Sequence, residues 1–86
     1  MEIRIDPHTL DRALERGTNE AEIKDVIHNG SPIPAKHSRI AKAKVYDFRQ
    51  ERSGKYYEQK RVEVIYTIEW GIIVTVTVYV FYGKGG

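Results

Sequence analysis

The chain has 86 residues, 30% of them charged, with a formal net charge of +2 and no cysteine. That length suits one small domain, 1–86, with a single two-layer core, and the lack of cysteine excludes disulfides and thiolate metal sites. The longest apolar run, Ile72 to Phe81, is too short and too rich in β-branched residues for a membrane helix, and Met1-Glu2-Ile3-Arg4 does not open a signal peptide, so the expectation is a cytoplasmic protein with no membrane partner.

The charge is unevenly spread. Met1 to Ala35 carries four basic against seven acidic residues, whereas Lys36 to Arg61 carries nine basic against three acidic, with Tyr46, Phe48, Tyr56 and Tyr57 interleaved. A basic stretch with aromatic rings suits a phosphate backbone and bases to stack on. The same lysines also suit solvated edge strands that resist aggregation.

In chain order, Ile3 and Ile5 alternate with charged residues as a short strand or extended lead-in. Asp6 then caps a helix with Pro7 at its first position, Ile5 as a staple on Leu10, and Leu10, Ala13 and Leu14 as the apolar face. Gly17 stops it. His8, Arg12 and Arg16 recur at four-residue spacing and form one polar stripe. A second helix starts at Asn19, with Glu22 in capping-box spacing, buries Ile23, Val26 and Ile27, and ends at Asn29-Gly30. Both helices are too short to be stable alone and should pack on a sheet.

The remainder reads as strand. A segment from about Lys42 to Gln50 leads through a two-residue Ser53-Gly54 turn into a central strand, a register that pairs Arg49 with Glu58 and Asp47 with Lys60. A three-residue Glu69-Trp70-Gly71 loop joins that strand to the last, pairing Ile68 with Ile72, Tyr66 with Val74, Val64 with Val76 and Val62 with Val78 on an apolar side. The other side pairs Thr67 with Ile73, Ile65 with Thr75, Glu63 with Thr77 and Arg61 with Tyr79. A one-residue slip buries Thr75 and Thr77 among valines, which argues against it. Tyr46, Phe48 and Tyr57 then share the polar side with Arg61, Glu63, Thr77 and Tyr79. The tail Gly83-Lys84-Gly85-Gly86 is expected to be mobile. The fold class is α+β, with two short N-terminal helices on one face of a three- to four-stranded, mainly antiparallel sheet.

The helix His8-x-x-x-Arg12-x-x-x-Arg16-Gly17, the second helix with Glu22-Ile23, the Gly30 turn and the strand Thr75-Val76-Thr77-Val78-Tyr79 together resemble a family of small bacterial and phage domains. That family begins with a His-x-x-x-Arg helix, ends with a valine-threonine strand, and is similar to the barnase, EndoU, colicin and RelE-like superfold of metal-independent ribonucleases and toxins. The resemblance implies helices on one face of the sheet and RNA on the other. It marks His8, Arg12, Arg16 and Thr75 or Thr77; Arg61, Glu63 and Tyr79 come from the register argument alone.

Cleaving RNA by attack of its own 2′-hydroxyl takes a base, donors for the charged phosphorane and an acid for the leaving 5′-oxygen. His8, in the first turn of a helix, suits the base, Arg61 the transition state, and Glu63 or Tyr79 a proton transfer. Arg12, Arg16, Tyr46, Phe48, Tyr57, Lys60, Thr75 and Thr77 are the expected RNA contacts. No cofactor is expected, and no metal, since His8, His28 and His37 lack ligand spacing. Plainer readings exist for each: a surface histidine, arginines paired with Asp11, Glu15 or Glu20, and ordinary cross-strand pairs. Three functions therefore stand: a ribonuclease or toxin, an RNA-binding platform without catalysis, and a module whose open face meets a second copy or an antitoxin protein.

Overall fold

The computed structural model describes residues 1–84. The chain runs β1 (Ile3–Arg4), α1 (Pro7–Arg16), α2 (Glu20–Asn29), β2 (Ser31–Ile33), β3 (Ile40–Arg52), β4 (Lys55–Glu69) and β5 (Ile72–Gly83). The α+β class is as expected. The sheet, however, has five strands in the order β1-β5-β4-β3-β2 and is mixed, because β1 pairs in parallel with β5 through Ile3–Ile73 and Arg4–Val74. Gly83 belongs to β5, opposite Gln59, so the expected mobile tail does not begin there; residues 85 and 86 lie outside the described residues.

The helices form where their caps predict. The Asp6 carboxylate accepts from the His8 N–H, Pro7 opens α1, and Gly17 closes it at φ 96°, a left-handed position. Gly17 is also a point of close approach: a Cβ there would lie 2.1 Å from the Tyr82 hydroxyl. Asn19 caps α2 by accepting from the Glu22 N–H at 2.9 Å. The buried face of α2 is Ile23, Val26 and Ile27, as read from the spacing, but α1 buries Thr9 and Ala13 and leaves Leu14 exposed. The reason is that α1 lies along β5, where the Thr9 hydroxyl donates to Val76 O (3.4 Å) and the Arg16 guanidinium to Val78 O (2.5 Å), so this face of the helix is held by strand carbonyls.

Both hairpins turn on two residues with positive φ: Ser53-Gly54 at 54° and 80°, and Trp70-Gly71 at 55° and 75°. The second turn corrects the expected three-residue loop. It pairs Glu69 with Ile72, Ile68 with Ile73 and Tyr66 with Thr75. This is the slip that sequence reasoning rejected, and it carries Thr75 to the helix side. A bulge at Val76 then resets the alternation, pairing Ile65 with Thr77, Val64 with Val78, Glu63 with Tyr79, Val62 with Val80 and Arg61 with Phe81. Val62, Val64, Val78 and Val80 therefore still face the helices, Val74 moves to the open side opposite Thr67, and Thr77 stays on the open side.

A second irregularity lies in β3 between Asp47 and Gln50, where Arg49 takes φ 50°. It moves Asp47 opposite Gln59 and Tyr46 opposite Lys60, in place of the expected Asp47–Lys60 and Arg49–Glu58 pairs. Tyr46 is thereby turned to the helix side, where its hydroxyl donates to Asp25 Oδ2 on α2.

The core consists of Ala13, Ile23, Val26, Ile27, Val62, Val64, Tyr66, Ile73 and Val78. Around it, lysines of the sheet point inward and hold the helices. Lys60 Nζ donates to Gly17 O (2.8 Å) and Glu22 Oε1 (2.7 Å), and its side chain is 10% exposed. Lys44 Nζ meets Asp25 Oδ2 at 2.6 Å, and Lys42 Nζ donates to Ile27 O at 2.7 Å. Among the described residues no buried side-chain polar atom lacks a partner.

Removing one partner of a buried ion pair leaves an uncompensated charge, which costs about 3 to 5 kcal/mol. Glu22→Ala should therefore lower the urea midpoint sharply, whereas the double variant Glu22→Leu/Lys60→Met, which removes both charges and keeps the volume, should cost much less. Equal effects would show that the pair's charge is unimportant. Asp25 supplies a pH test. Donation from the Lys44 ammonium, then from the Tyr46 hydroxyl and the Asn29 amide, holds its carboxyl well below the usual carboxylate range. A depressed folded value stabilises fully above the unfolded value of about 3.9 and is lost as pH falls below it. Resistance of the wild type to denaturant should weaken steeply below about pH 4, and Asp25→Asn should flatten that slope.

Candidate functional site

Where β1 ends at Arg4, the outer edge of β5 becomes accessible beside α1. Here the chain forms a cleft of about 350 Å³ lined by Asp6, His8, Thr9, Arg12, Thr75, Val76 and Thr77. Its shape follows from the Val76 bulge, which puts Thr75 on the helix side and Thr77 on the open side of the same edge. The Thr75 hydroxyl accepts from the Asp6 N–H at 3.2 Å, tying the start of α1 to the strand. His8 and Arg12 stand on consecutive turns above it and are exposed. Among the described residues, neither the His8 ring nor the Arg12 guanidinium has a hydrogen bond or ion pair. Four of the expected site residues, His8, Arg12, Thr75 and Thr77, therefore share one cleft.

Arg16 continues the polar stripe, but it is committed. Besides donating to Val78 O, it lies 5.5 Å from the centre of the Tyr79 ring, so it closes the β5 edge and reaches toward the open face.

The expected catalytic partners sit elsewhere on that face. Arg61 Nε donates to Glu63 Oε2 at 2.8 Å, and Glu63 lies opposite Tyr79. Arg61 lines two grooves, one with Asn29, Ser31, Ile33 and Val45 and one with Val45, Gln59 and Phe81; neither includes His8. The sequence-based site thus divides into a cleft at the strand edge and a cluster on the open sheet. Among the described residues no group of three or more His, Asp or Glu side chains is placed to share a cation.

Four residues expected as RNA contacts on the open face are placed elsewhere. Tyr46 and Lys60 are on the helix side, bonded to Asp25 and to Glu22 and Gly17. Phe48 and Tyr57 pack at 5.1 and 5.5 Å from the ring of Tyr82, whose hydroxyl donates to Arg16 O at the end of α1. Arg52 joins this cluster, 4.9 Å from the Tyr82 ring and bonded to Glu15 O. These rings hold the far end of α1 and are not an open stacking surface. Burial raises the Tyr46 and Tyr82 hydroxyls above the usual phenol value, and Asp25 adds to the effect at Tyr46.

Phe81 escaped the sequence reading. It follows Tyr79 by two residues, so it shares the same side of β5, but in the sequence it reads only as part of an apolar strand. Its exposure of 52% marks it as a surface ring.

Among the described residues no helix is long and apolar enough to cross a membrane. Thr75→Val removes the acceptor for the Asp6 N–H and should cost about 1 kcal/mol of stability, read from the denaturation midpoint. Thr77→Val, on the open side, should leave the midpoint within about 0.5 kcal/mol of the wild type. Compared with models of known protein families, with curated proteins and with solved structures, the chain matches none.

Proposed function

We propose that the chain is a toxin-like ribonuclease that cleaves RNA by attack of the 2′-hydroxyl on the adjacent phosphate, with the reacting atoms in the cleft between the start of α1 and the β5 edge. The observation that carries this reading is one cleft lined by His8, Arg12 and Thr77, in which the imidazole and the guanidinium have no structural partner among the described residues. An uncommitted arginine is free to hold a phosphate through two parallel N–H donors. A histidine beside it can take the 2′-hydroxyl proton as the new 2′-oxygen–phosphorus bond forms and the bond to the 5′-oxygen breaks. The Thr77 hydroxyl is a donor for the extra charge on the phosphoryl oxygens. Because the cleft is open to water, the departing 5′-oxygen takes its proton from solvent. The products are a 2′,3′-cyclic phosphate and a 5′-hydroxyl.

Arg61, Glu63 and Tyr79 are assigned a different part in this reading. They line the path of the bound strand and do not touch the reacting phosphate.

The test is incubation of the purified protein with labelled single-stranded RNA in the presence of EDTA. Cleavage to 2′,3′-cyclic ends is expected, lowered about 10²- to 10⁴-fold in His8→Ala. Arg12→Ala should chiefly raise KM. Intact RNA at high protein concentration, or cleavage indifferent to His8, sinks the proposal.

A further inference from the structure

The open face of the sheet carries two aromatic rings side by side. Tyr79 and Phe81, at i and i+2 of β5, have centroids 6.3 Å apart and ring planes inclined by 29°, and both are about half exposed. Arg16 approaches the Tyr79 ring from the α1 side, and Arg61 is the cross-strand neighbour of Phe81. Beside Phe81 lies a groove of about 220 Å³, lined among others by Val45, Gln59 and Arg61.

Their position relative to the cleft is set by the strand. α1 runs alongside β5 from Asp6, bonded to Thr75, to Arg16, bonded to Val78. Thr77, Tyr79 and Phe81 therefore follow one another on the open side at steps of about 6.8 Å, with Arg12 and Arg16 on the flank. A strand whose phosphate sits at Arg12 and Thr77 has its neighbouring nucleotides over the two rings.

We propose that Tyr79 and Phe81 form a two-base stacking platform that restricts the substrate of the His8 cleft to single-stranded RNA. The inference rests on the cleavage reading for the cleft, and it adds the substrate class. Every base offers a π-face, so such a platform binds single strands with little sequence preference, whereas a duplex keeps its bases stacked and paired inside. The chemistry around the rings favours nucleic acid over a protein partner. The apolar surface is broken by Arg61 and Glu63, the Arg16 guanidinium lies over Tyr79 and Arg61 is the ladder partner of Phe81, which suits stacked bases with phosphates beside them. Gln59 and Arg61 supply amide and guanidinium donors at the rim, within reach of base edges.

The experiment uses the His8→Ala protein, so that binding is read without cleavage, with a short labelled single-stranded RNA and the same sequence as a duplex at one fixed salt concentration. Tyr79→Ala and Phe81→Ala, added singly, should each weaken single-strand binding by roughly tenfold or more. Phe81→Trp should retain it, and the duplex should bind weakly throughout. Unchanged melting midpoints in the ring variants separate lost stacking from lost fold. Single-strand affinity that ignores both rings, or a duplex bound as well as a single strand, overturns the platform. So does self-association in sedimentation that Phe81→Ala abolishes in a protein without RNA affinity, because the face is then an interface between copies. Ring-dependent binding by a wild type that leaves RNA intact upholds the platform and removes the cleavage assignment at His8.

Discussion

Lys60 is the junction on which the two layers depend. Its ammonium joins the central strand to the carbonyl that ends α1 and to the carboxylate in the first turn of α2, and Glu22 in turn accepts from the Thr18 hydroxyl at 2.8 Å. Burying an ammonium costs several kcal/mol, so it is tolerable only where short charged hydrogen bonds replace water. Here two such bonds do so, and the rings of Tyr46 and Phe48 lie 5.9 and 6.0 Å away. The placement is electrostatically consistent at both ends: a cation meets the negative end of α1, and an acidic side chain occupies the positive start of α2. A hydrophobic residue in this position would pack, but it would not define where the two helix ends sit.

The same device explains the fate of the basic middle segment. Lys42, Lys44, Lys60 and Arg52 all turn toward the helices, where carbonyls and the Asp25 and Glu22 carboxylates receive them. Much of the positive charge is therefore structural, and a count along the chain overstates what a polyanion would meet. What remains available beside the candidate site comes from α1, a helix in the acidic part of the sequence. Arg12 and Arg16 differ there by one turn and by role: one is uncommitted above the cleft, the other is bonded to a strand carbonyl and lies against a surface ring.

Two backbone irregularities decide which side chains share a face. The Val76 bulge admits Thr75 to the helix side, where it receives the Asp6 N–H, and returns Thr77, Tyr79 and Phe81 to the open side. The β3 irregularity at Arg49 sends Tyr46 inward to Asp25. Each inserts a single residue, and each reverses the facing of everything beyond it relative to an unbroken ladder. The site and the core are thus products of the same two insertions.

Local chemistry in the sequence determined the helix limits, through Asp6, Pro7, Gly17 and Asn19, and the buried stripe of α2, because caps and 3.6-residue periodicity act within one or two turns. It also determined where the two hairpins turn, though not the loop length of the second, and the pairing of His8 with Arg12, which follows from helical spacing alone. Only the tertiary structure decided that His8 and Arg12 meet Thr75 and Thr77, that Tyr46 and Lys60 face inward, and that Phe81 joins Tyr79 on the surface. A period of two carries no mark of an inserted residue, and a lysine's charge does not say whether a helix carbonyl or water will receive it. Those choices depend on partners distant in sequence, from 21 residues for Tyr46 and Asp25 to 69 for Asp6 and Thr75, so they exist only once the layers have packed.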